Sequence, residues 1–216
     1  MLITVIVTLI AAYLIGSVNF AVIFAKAFLK KDVRTLGSGN AGATNVLRNA
    51  GPLAGALTFL CDALKGFIAV FIGKQVFLYL FENGTDWAHP IYGAYLCGLC
   101  CMLGHIFPIF FQFKGGKGIA TSVGIYSVCS PIAIISGLGV FIAVTAISKM
   151  VSLGSILSAV VVVVLSIIFN DETASIYPQL ILSVLMGIIV IVKHGKNIKR
   201  LLNGTESKIG KSKKMK

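Results

Sequence analysis

Three short polar stretches interrupt an otherwise apolar chain, and their residue types suit phosphate. The first is Gly37-Ser38-Gly39-Asn40-Ala41-Gly42-Ala43-Thr44-Asn45-Val46-Leu47-Arg48. The second is Lys114-Gly115-Gly116-Lys117-Gly118, and the third is His194-Gly195-Lys196-Asn197-Ile198-Lys199-Arg200. Glycine lets a backbone approach a ligand closely and turn through positive φ. Successive N–H groups in such turns form concave anion nests. Lysine and arginine add charge, and the arginine fork matches a phosphate bidentately.

In the first stretch Ser38, Asn40, Thr44 and Asn45 offer neutral donors and Arg48 a cation. In the second, Gly115 and Gly116 precede Lys117 at the start of an apolar run. That spacing places a lysine and free backbone N–H groups at a helix N-terminus, a favourable phosphate position. It is not a Walker A loop, because Gly118 stands where Ser or Thr must follow the lysine. In the third stretch His194 and Asn197 are three positions apart and share a face if helical. Histidine can accept or orient a proton near neutral pH. Ser152 follows Lys149 closely and can add a hydroxyl, while Glu206 is the single carboxylate of the C-terminal tail, placed to pair with a cation. His105 sits near the end of an apolar run and reads as supporting. Asp62 and Lys65 lie inside another run, at a spacing that suits a mutual ion pair.

Covalent catalysis has no visible machinery. There is no Gly-x-Ser-x-Gly elbow, no cysteine with an obvious histidine partner, and none of the three histidines has an aspartate five positions on. Direct transfer with electrostatic stabilisation is the alternative. Cys61, Cys97, Cys100, Cys101 and Cys129 all lie in apolar runs, where free cysteine behaves as a small hydrophobe. No metal-ligand spacing supports a zinc site, so neither metal nor cofactor is expected.

The elements that must hold these groups are membrane helices. The chain has 216 residues, 57% of them hydrophobic and only 12% charged, with mean hydropathy +0.95. A soluble domain carries roughly 25% charged residues. The net charge of +12 suits anionic lipid at a membrane surface better than nucleic acid. Apolar segments run 2–25, 52–73, 88–111, 118–147, 152–169 and 175–192. The first lacks a basic n-region and a small-residue cleavage motif, so it reads as a retained span.

Charge decides the topology. The linkers 26–51, 112–117 and 148–151 and the segment 193–216 hold 17 of the 19 basic residues, whereas 82–89 and 170–174 hold none. The positive-inside rule makes the basic stretches cytoplasmic. Parity then requires 118–147 to cross twice, turning near Ser130-Pro131 as two short spans. The expectation is an all-α polytopic membrane protein with seven transmembrane helices, N-terminus outside and C-terminus cytoplasmic. Residues 1–202 form its membrane domain, and 203–216 a polar, basic cytoplasmic tail.

Taken in order, these motifs resemble the bacterial PlsY family, the acyl-phosphate-dependent glycerol-3-phosphate acyltransferases. The match runs from Gly16-Ser17 through the Gly37–Asn45 run, Asp62-x-x-Lys65-Gly66, Gly104-His105-x-Phe107-Pro108, Phe113–Gly118 and Ser152-Leu153-Gly154-Ser155. It ends with His194-x-x-Asn197-Ile198-x-Arg200-Leu201-Leu202 and Gly204-Thr205-Glu206. The resemblance implies a seven-span enzyme of the bacterial cell membrane, with its motifs on the cytoplasmic face. It implies transfer of a long-chain acyl group from acyl phosphate to the 1-hydroxyl of sn-glycerol 3-phosphate. The products are 1-acylglycerol 3-phosphate (lysophosphatidic acid) and phosphate, the first step of phospholipid biosynthesis. The expected partners are those two substrates, the bilayer and the enzyme that makes the acyl phosphate. In this reading Ser38, Arg48, Lys117 and Ser152 bind phosphate, and Asn40, Thr44 and Asn45 shape the nest. His194 and Asn197 orient or polarise the acceptor hydroxyl. Relatives often carry Arg and an acidic residue where this chain has Lys193 and Lys196.

A transporter of organic phosphate is the competing class. Against it, the acidic linkers are tiny and intramembrane charge is confined to Asp62 and Lys65 in the segments as drawn. The absence of metal-ligand spacing gives the first prediction. Activity in an excess of EDTA equals activity without it, and loss that Mg²⁺ restores would refute the metal-free reading.

Overall fold

The computed structural model describes residues 1–209; the sequence-defined tail residues Lys211, Lys213, Lys214 and Lys216 lie outside them. The described residues are helical, with no strand. The helices are α1 (Leu2–Ser17), α2 (Phe20–Leu29), α3 (Ala43–Glu82), α4 (Pro90–Ile106), α5 (Ile119–Cys129), α6 (Pro131–Ser148), α7 (Val151–Ile168), α8 (Ile176–Lys193) and α9 (Gly195–Leu202). Among the described residues six stretches are long and apolar enough to cross a bilayer, and α5 is a shorter apolar helix.

The differences from the sequence reading have local causes. The first segment is not one helix, because Asn19 caps a new one by accepting from the Val22 N–H at 3.2 Å. The second runs from 43 to 82 rather than 52 to 73, with a break at Gly51 (φ 88°) ahead of Pro52. The helical part that precedes the break carries Thr44, Asn45 and Arg48. The turn at Ser130-Pro131 falls where expected, but only α5 is short, at 11 residues against 18 for α6. Helix α5 is bounded by Gly118 in left-handed backbone (φ 88°) at one end and by the turn at Ser130-Pro131 at the other.

Helix α4 runs through the middle of the bundle and packs against α1, α3, α5 and α8. Lipid offers no hydrophobic force between helices, so close approach of small residues supplies the contact. A Cβ on Gly124 of α5 would lie 1.8 Å from the Ala63 carbonyl of α3. One on Gly104 of α4 would lie 2.2 Å from the Tyr13 carbonyl of α1.

A charged cluster joins these elements. Lys65 Nζ lies 2.8 Å from Asp62 Oδ1, and His105 Nδ1 lies 3.6 Å from the same oxygen. All three side chains are at most 4% exposed. Lys65 also donates to the Val18 carbonyl at 2.6 Å, in the gap between α1 and α2, and sits 5.7 Å from the centre of the Phe20 ring. Removing one member leaves a buried charge uncompensated, at a cost of about 3–5 kcal/mol. Asp62→Ala is therefore expected to lower the thermal unfolding midpoint in detergent sharply. A midpoint within a degree or two of wild type would contradict the bracing role of this cluster.

Candidate active site

The glycine stretch is folded back onto the end of α4. Gly116 N–H donates to the His105 carbonyl and Gly115 N–H to that of Ile106, both at 3.2 Å. A Cβ on Gly116 would fall 2.3 Å from His105 Nε2 and 2.6 Å from the Ala41 carbonyl. Glycine is required there by space. This corrects the reading that gave Gly115 and Gly116 free N–H groups for phosphate, since both groups are taken. Gln112 and Phe113 adopt left-handed backbone at φ 58° and 57°. The reversal, fastened by Phe113 N–H donating to the Pro108 carbonyl at 2.9 Å, delivers Lys117 to its partners.

Lys117 Nζ donates to Asn197 Oδ1. Asn197 Nδ2 donates to Glu206 Oε1 at 2.9 Å, and Arg200 Nε donates to Glu206 Oε2 at 2.7 Å. Four groups from three segments thus form one chain. Burial raises the Glu206 carboxyl, but hydrogen bonds from Arg200 and Asn197 and the nearness of Ser152 outweigh it and hold it below the usual carboxylate range. Lys117 is pushed down to about 8, first by burial and then by the charges of Arg200 and Arg48, with Glu206 opposing. That places Arg48 of the first stretch in the electrostatic reach of Lys117.

His194, at the junction of α8 and α9, is 2% exposed, and its Nδ1 lies 2.8 Å from the Val190 carbonyl. A carbonyl only accepts, so the ring proton is on Nδ1 and the Nε2 lone pair remains. Burial and then the charge of Lys117 push its pKa down to about 4, leaving the ring neutral at pH 7. Ser152, in the first turn of α7, is 6% exposed, and its Oγ makes no well-formed hydrogen bond among the described residues. The segment after Asn203, set apart as a tail in the sequence, returns to this group through Glu206. Ile209 N–H fastens it by donating to the Lys149 carbonyl at 2.8 Å.

The first stretch is organised from within by Asn45. Its Nδ2 donates at 3.0 Å to each of the Val33, Leu36 and Asn40 carbonyls, and its Oδ1 accepts from Ser38 N–H at 3.2 Å. Asn45 shapes the loop and has no donor left for a ligand. Ser38 and Arg48 are exposed, and Asn40 and Thr44 half-buried. His105 stays with Asp62 in the cluster beneath the loop.

Two groups were overlooked in the sequence. Arg200, a member of the third motif, anchors Glu206. Arg34 pairs with Asp32 at 2.7 Å and donates to the Phe111 carbonyl at 2.8 Å, tying the turn before the first stretch to the turn before the second. The only advance signal was an i, i+2 charge pair in a loop.

A family model described as glycerol-3-phosphate acyltransferase matches residues 6–204. The chain belongs to this family. A glycerol-3-phosphate acyltransferase of Thermoanaerobacter sp. (strain X514) is 45% identical over 211 residues, covering 98% of each protein. The structure is similar to the crystal structure of PlsY (YgiH), an integral membrane glycerol 3-phosphate acyltransferase, in its glycerol 3-phosphate form. The TM-score is 0.81 at 34% identity, over 95% of this chain and 96% of that one. The lysophosphatidic acid form of the same enzyme gives 0.79. An all-helical integral membrane protein is thus what this sequence encodes.

The depressed Lys117 sets a pH dependence. The ammonium is present below about pH 8 and lost above it. Activity is expected to fall on a basic limb centred near pH 8, and Lys117→Arg to move that limb upward by about 2 units or more, since guanidinium stays charged. A limb unmoved by the substitution would remove Lys117 from the titrating role.

Proposed function

We propose that this protein transfers a long-chain acyl group from acyl phosphate to the 1-hydroxyl of sn-glycerol 3-phosphate, at the cytoplasmic face of a seven-span fold. The observation that carries the reading is the partly buried chain Lys117–Asn197–Glu206–Arg200, with neutral His194 and the Ser152 hydroxyl beside it. The relatives' name supplies the acceptor. The donor follows from chemistry. The carboxylate near Ser152 is that of Glu206, which Asn197 and Arg200 already hold, and Ser38 has no hydrogen-bonded base among the described residues, so a donor already activated as a mixed anhydride fits best.

The acceptor hydroxyl oxygen attacks the acyl carbon, and the bond from that carbon to the phosphate oxygen breaks. The hydroxyl proton passes to the departing phosphate, giving 1-acylglycerol 3-phosphate and inorganic phosphate. Lys117 and Arg48 neutralise the phosphates, with Ser38 and Ser152 as hydroxyl donors and Asn40, Thr44 and Asn45 shaping the loop. Asn197 and His194 Nε2 orient the attacking hydroxyl. Lys117 is worth most here, because charge stabilisation in a partly dry site is the largest single catalytic effect.

An apolar cleft supports the same reading. It is lined by Met102, Ile119, Val123, Tyr126, Leu138 and Val162, among others. It begins beside Gly118, where an added Cβ would lie 3.3 Å from Met102 Cγ. A chain laid in it starts next to Lys117.

The test is phosphate release by protein in lipid, given palmitoyl phosphate with and without glycerol 3-phosphate. Release is expected only with both, matched by lysophosphatidic acid. Turnover with palmitoyl-CoA alone would keep the reaction and replace the donor. Lys117→Ala is expected to lower kcat/KM by about 100-fold or more while the protein stays folded. Near wild-type activity would refute the site.

A further inference from the structure

The end of the bundle remote from Lys117 holds a second cavity, of about 180 Å³. It lies where α5 turns into α6 and α7 into α8, against the distal half of α3. Its walls include Lys74, Cys129, Ser130, Ile132, Phe169 and Asp171. None of these takes part in the acyl transfer described above.

Three independent observations mark it as an anion site. Lys74 lies inside the 40-residue α3 and forms no ion pair or hydrogen bond among the described residues. Lys74 is half-buried at this interfacial end and shares the cavity wall with Asp171 without hydrogen-bonding to it, so its ammonium can still donate to an anion. Ser130 is the N-cap of α6, but its side chain caps nothing; it is 3% exposed and its Oγ has no partner among the described residues. The N-terminus of the 18-residue α6 opens at the same wall, through Ser130, Pro131 and Ile132. A helix N-terminus carries about half a positive charge.

Charge selects among anions. Lys74 contributes one positive charge and Asp171 one negative, so the cavity with the α6 terminus holds roughly half a positive charge. That suits a monoanionic phosphodiester and disfavours a dianionic phosphate monoester. Ile132 is 54% exposed and Phe169 49%, so the cavity mouth is flanked by apolar surface that acyl chains can cover. We propose that this cavity binds the phosphodiester headgroup of a membrane phospholipid, with Lys74 and the Ser130 hydroxyl as its donors. In the orientation drawn from the charge distribution, that phospholipid belongs to the outer leaflet.

The experiment titrates purified protein in detergent with phosphatidylglycerol and counts bound lipid by native mass spectrometry. One equivalent is expected to bind, with affinity about fivefold to tenfold lower in Lys74→Leu. Ser130→Ala is expected to weaken it less, and to leave the unfolding midpoint unchanged because its hydroxyl bonds nothing among the described residues. Lys117→Ala is expected to retain this equivalent, which separates the site from the catalytic end. Binding equal to wild type in both Lys74→Leu and Ser130→Ala overturns the proposal. Displacement of the lipid by inorganic phosphate overturns the phosphodiester assignment.

Discussion

The ion pair between Asp62 and Lys65 is the constraint on which the rest is built. Burying both charges is expensive, and the geometry must be close for attraction to offset the loss of water. Here the pair lies 2.8 Å apart, and Lys65 is further held by the Val18 carbonyl. That carbonyl is available because the helix breaks between Ser17 and Phe20. The broken first span and the intramembrane lysine therefore explain each other. His105 joins from α4, and its other ring nitrogen leaves so little space that residue 116 must be glycine. A cluster deep in the bundle thus sets where the glycine stretch lies, and that stretch sets where Lys117 points.

From that base the site is built by convergence rather than by any one motif. The second stretch brings Lys117. The junction of α8 and α9 brings His194 and Asn197. The segment after Asn203 returns with Glu206, and the first turn of α7 brings Ser152. The polar side chains already hold one another, so an anion entering among them would require little reorganisation. Lys117 is charged at pH 7 yet desolvated, a state that attracts an anion more strongly than a hydrated surface lysine does.

Much of this was legible in the sequence. Periodless apolar runs marked α6, α7 and α8 to within a few residues. Ser130-Pro131 gave the turn, and the i, i+3 spacing gave the Asp62–Lys65 pair. What escaped depends on direction in space. Glycine at 115 and 116 is written the same way whether its N–H binds phosphate or a carbonyl. Asn45 looks like a donor until its amide is found spent on three carbonyls of its own loop. The extension of α3 to Glu82 was hidden because Lys74 and Gln75 look like the end of a span. Arg200 and Glu206 were both visible, but their pairing needs a chain reversal that no local signal announces.

The central claim is that the acyl group passes directly from donor to acceptor within this preformed cationic site. The most direct measurement is to incubate the protein with radiolabelled palmitoyl phosphate and no acceptor, denature it, and count label on the polypeptide. The account predicts none, followed by full transfer to lipid when glycerol 3-phosphate is added to a parallel sample. Label covalently retained on the protein, and chased from it by glycerol 3-phosphate, would contradict direct transfer.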